Sequence, residues 1–229
     1  MEDVVVCEKV SKTYRAGHIG VPALREVDLK VARGQFVTLA GPSGSGKTTL
    51  LNLIGGLDQP SSGAVTLEGQ RVDQLSPGAL ADLRLEHVGF VFQAYNLIPV
   101  LSARENVEFV MELQGMDGDR RRQLSSEILQ EVGLSGMDDR RPAELSGGQQ
   151  QRVAVARAIV SRPTIVLADE PTANLDSHTA RDLVELMRDL NRKHQTTLVI
   201  STHDPMVMEL APRRISLRDG RVVDDQAVP

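Results

Sequence analysis

Gly41-Pro42-Ser43-Gly44-Ser45-Gly46-Lys47-Thr48-Thr49 follows an apolar run at residues 35–40 and opens a helical pattern over 47–57, and this stretch decides the fold. Its spacing fits G-x4-G-K-[ST] in the strand-to-helix setting that separates a phosphate loop from a chance glycine-rich turn. Glycines let consecutive backbone N–H groups turn inward around a phosphate, and the helix start behind them adds about half a positive charge. Lys47 would add a mobile cation on the β- and γ-phosphates, and the Thr48 hydroxyl a hard oxygen for Mg²⁺.

Working outward, β-branched or aromatic apolar runs occur at residues 4–6, 24–31, 35–40, 65–67, 88–92, 164–168 and 197–201. Helical patterns cover 77–85, 102–113, 119–132, 149–160 and 179–194. Several ends are readable: Ser102 and Glu105 form a capping box, Gly133 sits at a helix C-terminus, and Pro163 stops the helix that starts at 149. Asp219-Gly220 reads as a tight hairpin turn, so a small β element follows. Alternating strands and helices predict an α/β fold with a mainly parallel sheet flanked by helices. The early strands, polar at alternate positions, predict a separate antiparallel layer, and 102–162, with three helical patterns and no strand, an inserted helical subdomain.

Ligands of open parallel sheets bind beyond the carboxyl ends of the strands. Gln93, Asp169-Glu170 and His203 each stand just past such an end. Asp169 is expected to face Mg²⁺ and Glu170 to serve as the general base, although acids also simply terminate strands. His203 could hydrogen-bond a γ-phosphate or be structural, and Gln93 could contact Mg²⁺ and water or merely begin a loop. Leu145-Ser146-Gly147-Gly148-Gln149 opens another helix. It is either an ordinary N-cap or a second phosphate cradle.

The 229 residues, 41% hydrophobic, suit one domain with a modest insertion, and 31 acids against 26 bases argue against a dedicated nucleic-acid binder. Cys7, the only cysteine, excludes an intrachain disulfide and favours the cytosol. The N-terminal stretch does not read as a secretory signal, and the longest uncharged run, 87–103, is too short and too polar to span a bilayer.

With these motifs on the page, the chain resembles the ATP-binding subunit of an ABC transporter over essentially its full length. The motifs fall in that family's order: Tyr14 as the adenine-stacking aromatic, 41–48 as Walker A, Gln93 as the Q-loop, 145–149 as the signature, 165–170 as Walker B, Ala173-Asn174-Leu175-Asp176 as the D-loop and His203 as the switch histidine. The segments 45–58 and 171–177 are similar to the macrolide-exporter, lipoprotein-release and cell-division branch, and Gln149-Gln150-Gln151 favours its exporter-type members. The resemblance implies one ABC ATP-binding domain over 1–229, with a core at about 1–92 and 163–229 and the helical subdomain at about 102–162. It implies ATP with Mg²⁺, hydrolysis, and a head-to-tail dimer in which 146–149 of one copy reach the nucleotide of the other. A separate transmembrane permease is expected, since the sequence stops at Pro229, with a periplasmic adaptor as a further candidate partner, and so is a place on the inner face of the cell membrane. Residues 94–101 would either receive the permease or pack the inserted helices onto the sheet. The runs at 120–122 and 140–141 read as solvated faces. Transport or extraction leads; force transmission without cargo, a soluble ABC ATPase of DNA repair or translation, and a regulatory module without turnover are the alternatives. Glu170 argues against the regulatory module, and the single phosphate loop without a sustained heptad against the soluble ATPase.

Overall fold

The five residues before the phosphate loop are all buried, the burial expected of a strand covered on both faces. The structure is a computed structural model that describes residues 2–17 and 19–228. In chain order it contains β1 (Asp3–Ala16), β2 (Ile19–Ala32), β3 (Phe36–Ala40), α1 (Lys47–Ile54), β4 (Ser62–Leu67), β5 (Gln70–Arg71), α2 (Pro77–His87), β6 (Val88–Val91), α3 (Ala103–Leu113), α4 (Gly118–Glu131), α5 (Gly147–Ile159), β7 (Ile165–Asp169), α6 (Ser177–His194), β8 (Thr197–Thr202), α7 (Pro205–Leu210), β9 (Arg213–Arg218) and β10 (Arg221–Ala227).

Two sheets form. One is antiparallel, ordered β2-β1-β4-β5, and the other is ordered β10-β9-β3-β8-β7-β6. In the second, β9, β3, β8, β7 and β6 run parallel and only β10 is antiparallel. Ala40 pairs with Thr202, Asp169 with Ser201 and Val91 with Ala168, so the carboxyl ends of β3, β8, β7 and β6 finish level on one edge. That pairing brings together side chains more than a hundred residues apart.

Each face of this sheet is covered differently. Leu50, Leu53 and Ile54 of α1 join Leu39, Leu167 and Val199 of the sheet and Val5, Val65 and Leu67 of the antiparallel layer in one apolar cluster. On the other side Val107 and Met111 of α3, Leu129 of α4, Val153 and Ala156 of α5 and Leu183 of α6 pack with Val91, Val166 and Ile200. The α5 backbone lies directly on β6: a Cβ at Gly89 would stand 2.1 Å from the Ala158 carbonyl oxygen. Only glycine permits that approach.

The antiparallel layer, the strand-free helical insertion and the Ser102–Glu105 capping box are all present. Elsewhere the chain departs from expectation. The first helix stops at Ile54 rather than Leu57, because Gly55 caps it and Gly56 takes a positive φ of 63°. β1 and β2 are 14-residue arms, much longer than their apolar runs. β5 and the six-residue α7 were not foreseen, and β9 joins the main sheet beside β3 while β10 pairs with it through the Asp219-Gly220 turn.

Candidate nucleotide site

The phosphate loop runs from the end of β3 into α1. Gly46, the N-cap of α1, sits at φ 104° and offers no side-chain cap, so the helix start keeps free N–H groups aimed at the loop. A Cβ there would meet the Ala23 carbonyl oxygen at 2.6 Å, so glycine is required for space as well as for conformation. A cleft of about 590 Å³ opens over the loop, ample for a nucleotide. Pro42, Ser43, Gly44, Gly46, Lys47, Thr48 and Thr49 form one wall. Gln93, Glu170 and His203 face them, with Ala173 of the D-loop segment and with Ala23, which the sequence did not single out. Gly41 lies beneath: its carbonyl accepts from Lys47 Nζ at 2.8 Å. Ser45 is buried, its hydroxyl without a partner among the described residues and its N–H donating to the Pro42 carbonyl.

Lys47 is only 6% exposed and points along the loop, donating to the Gly41 and Pro42 carbonyls, with its Nζ 3.4 Å from Glu170 Oε1. His203 Nδ1 stands 3.0 Å from both Glu170 oxygens. Glu170 thus sits between a cation and an imidazole, and its backbone is held at φ 46°, an unfavourable conformation for glutamate. The Glu170 N–H donates to the carbonyl and the hydroxyl of Ser201, which fixes that turn. Asp169 turns the other way, accepting from Thr48 Oγ1 at 3.0 Å and from the Ser201 hydroxyl at 2.5 Å. The two adjacent carboxylates therefore point to different partners.

A magnesium ion fits this donor set. Thr48, Asp169 and the Gln93 amide offer hard oxygens with a single carboxylate, and no group of three His, Cys, Asp or Glu side chains able to hold a metal exists among the described residues. Such a site needs phosphate oxygens and waters to complete it, as Mg²⁺ sites usually do.

Tyr14 on β1 is 42% exposed and lies outside the cleft lining, with its hydroxyl donating to Asp58 Oδ2 at 2.8 Å. Burial holds the Tyr14 hydroxyl above its ordinary pKa and Asp58 adds to that, against the neighbouring Thr49 hydroxyl of the cleft wall. Ser146, Gly147, Gly148 and Gln149 line no part of the cleft. They begin α5, where the Ser146 hydroxyl accepts from the Gln149 N–H and the Gln149 side chain accepts from the Ser146 N–H. Within one chain the second cradle and the phosphate loop stay apart.

Two side-chain links to the backbone escaped the sequence reading. Gln151, with no exposed surface, donates from Nε2 to the carbonyls of Phe92 and Pro171. It ties the residue before Gln93 to the residue after Glu170. Arg157 donates to the carbonyls of Tyr95 and Asn96, two consecutive residues at φ 59° and 50°, and its burial lowers its pKa. The Tyr95 hydroxyl lies 2.8 Å from where a Cβ of Gly147 would stand.

The family model described as ABC transporter matches residues 24–173. The chain belongs to the ABC transporter family. An uncharacterised ABC transporter ATP-binding protein, YvrO of Bacillus subtilis, is 44% identical over 97% of this chain and 97% of its own length. The macrolide export ATP-binding/permease protein MacB of Syntrophobacter fumaroxidans is 45% identical over 95% of this chain, which spans only about a third of that relative. Among solved structures, the dimeric post-hydrolysis state of the ATP-binding cassette MJ0796 bound to ADP and Pi is 41% identical and superposes with a TM-score of 0.91, covering 98% of this chain and 99% of that one. The fold is that of an ABC ATPase cassette.

Proposed function

We propose that this cassette binds MgATP in the cleft over the phosphate loop, hydrolyses it with Glu170 as the base, and does so as one half of a head-to-tail pair that drives a membrane permease. The observation that carries the reading is Glu170 itself, placed in the cleft wall between Lys47 and His203. Lys47 and the free amides of α1 hold the phosphates; Thr48, Asp169 and Gln93 would hold the magnesium ion, which would supply Lewis-acid polarisation of the phosphoryl oxygens. Glu170 takes the proton of the attacking water, and His203, through Nδ1, orients that carboxylate and turns its other ring nitrogen toward the γ-phosphate. Tyr14 stacks on the adenine. MJ0796 was solved as a dimer, and a pair of that kind gives the Ser146–Gln149 cradle a nucleotide to meet: the one held by the other copy.

Ser146→Arg tests that pairing. It is expected to lower ATP hydrolysis by at least about a hundred-fold, as lost transition-state donors do, while ATP affinity of the single chain, read by equilibrium binding, stays within about two-fold of the parent. Loss of binding together with turnover would reject a site shared between copies.

The permease reading rests on a groove of about 360 Å³ lined by Phe90, Phe92, Asn96, Ile98, Phe109 and Arg157 among others. Residues 94–101 divide between the two expectations: Asn96 and Ile98 line the groove, while Leu97 packs against the helical core. An apolar groove with a half-buried arginine suits an amphipathic helix from a membrane protein. Arg157 and Tyr95 then link it to the signature turn at Gly147. Among the described residues no helix is long and apolar enough to cross a membrane, so the cassette would sit on the cytoplasmic face through its partner. A periplasmic adaptor would act beyond that permease, and export or extraction is the expected output. Affinity purification of the full chain from detergent-solubilised membranes, with ATP and Mg²⁺ present, should recover a polytopic membrane protein in stoichiometric amount. Recovery with ribosomes or DNA and no membrane protein would replace this reading by that of a soluble ABC ATPase.

A further inference from the structure

Two side chains from distant segments, Lys12 and Asp58, converge on Tyr14. Lys12 Nζ lies over one face, 4.9 Å from the centroid. The same ammonium donates to Asp58 Oδ1 at 2.5 Å and to the Gln59 carbonyl at 2.7 Å, and Asp58 Oδ2 accepts from the Tyr14 hydroxyl. Burial opposes the ionised form of Asp58, but the bonds from Lys12, Tyr14 and the Gln59 N–H hold its carboxyl below the usual carboxylate range. The segment carrying Asp58 is itself fixed to the phosphate-loop helix, since the N–H groups of Leu57 and Asp58 donate to the Asn52 carbonyl. It is fixed to β1 as well, through Ser61 N–H to Ser11 O and Thr13 N–H to Ser61 Oγ. An ordinary surface ion pair, worth little in water, would need none of this bracing.

We propose that Lys12 and Asp58 are positioning residues for the nucleobase, a role that rests on reading Tyr14 as the base platform. Asp58 fixes the ring by its hydroxyl at a set distance from α1, and hence from the phosphate loop. Lys12 covers one face and leaves the other for the purine. A cation behind the ring draws π density away from the open face, which reduces its repulsion with the purine π system. The platform is thereby set before the nucleotide arrives, and ordering the ring costs the complex nothing further.

The test compares MgATP with a ligand that has the phosphates and no base, magnesium tripolyphosphate, on the full chain. Asp58→Ala and Lys12→Met are each expected to raise KM for MgATP about five-fold, the low end of a base–aromatic stack. The saturating rate and the inhibition constant of tripolyphosphate should stay at parental values, and Lys12→Arg should restore KM. In the Tyr14→Ala background, adding Asp58→Ala should cost nothing more, because the two act as one unit. A parallel rise in KM and in the tripolyphosphate constant would mean a disturbed phosphate loop and would overturn the proposal. A rise in KM for Tyr14→Ala with none for Asp58→Ala or Lys12→Met would overturn the clamp alone. If Tyr14→Ala leaves KM unchanged, the base platform fails and the clamp with it.

Discussion

Lys47→Ala raises the dissociation constant for MgATP by at least about a hundred-fold, the equivalent of about 3 kcal/mol for charge-assisted contacts to two phosphates in a shielded site. The expectation follows from where the ammonium is. It is 6% exposed, its neighbours within hydrogen-bonding reach are two loop carbonyls and Glu170, and no other cation side chain lines the cleft among the described residues. Alanine keeps the backbone amides and the helix dipole but removes the mobile charge, while Glu170 stays and repels the γ-phosphate. The fold should persist, since the two carbonyls released face an open cleft and can be hydrated. Isothermal titration with MgATP, alongside circular dichroism to confirm the fold, reads the effect. Near-parental affinity in a folded variant would remove Lys47, and with it the loop 41–48, from the nucleotide site.

The site was legible wherever one residue closed an apolar run, because parallel pairing turns strand ends into neighbours without further information. Gln93, Asp169, Glu170 and His203 were placed that way, and the structure sets them on the edge that carries the phosphate loop. What escaped depends on register or on burial of a polar group. Ser201 reads as the polar end of a strand, and only its pairing with Asp169 makes it the residue that fixes the Asp169 carboxylate and the backbone turn at Glu170. Gln151 looks like one of three glutamines; that it alone is fully buried, bonded to two carbonyls, depends on how α5 lies across β6 and β7. The arms β1 and β2 were read short because their register shifts, between Cys7 and Val10 and again up to Thr13, break the two-residue alternation that marks a strand. The six-residue α7 is too short to show a period, although Asp204 and Pro205 are an N-cap and an N1 proline in plain view.

Glu170→Gln separates chemistry from binding more sharply than any other substitution. Glutamine has the size of glutamate and can still accept from His203 Nδ1, so the turn at φ 46°, secured by two bonds from the Glu170 N–H to Ser201, keeps its geometry. Only the proton acceptor and one negative charge are lost. Hydrolysis should fall by about 10²–10⁴-fold, the usual worth of a general base. ATP binding should persist, because the carboxylate that repels the γ-phosphate and competes for Lys47 is gone. With turnover blocked, each bound ATP keeps its γ-phosphate, the charge that the signature turn of the second copy is proposed to meet. The pair should therefore accumulate, and sedimentation velocity should show a dimer with ATP and a monomer with ADP. A hydrolysis rate equal to the parent's would reject Glu170 as the base. Lost turnover with no ATP-dependent dimer would leave the base in place and reject the head-to-tail pairing of this chain on its own. The two properties are separable because Glu170 lies in the cleft wall of one copy, whereas Ser146–Gln149 lies outside it.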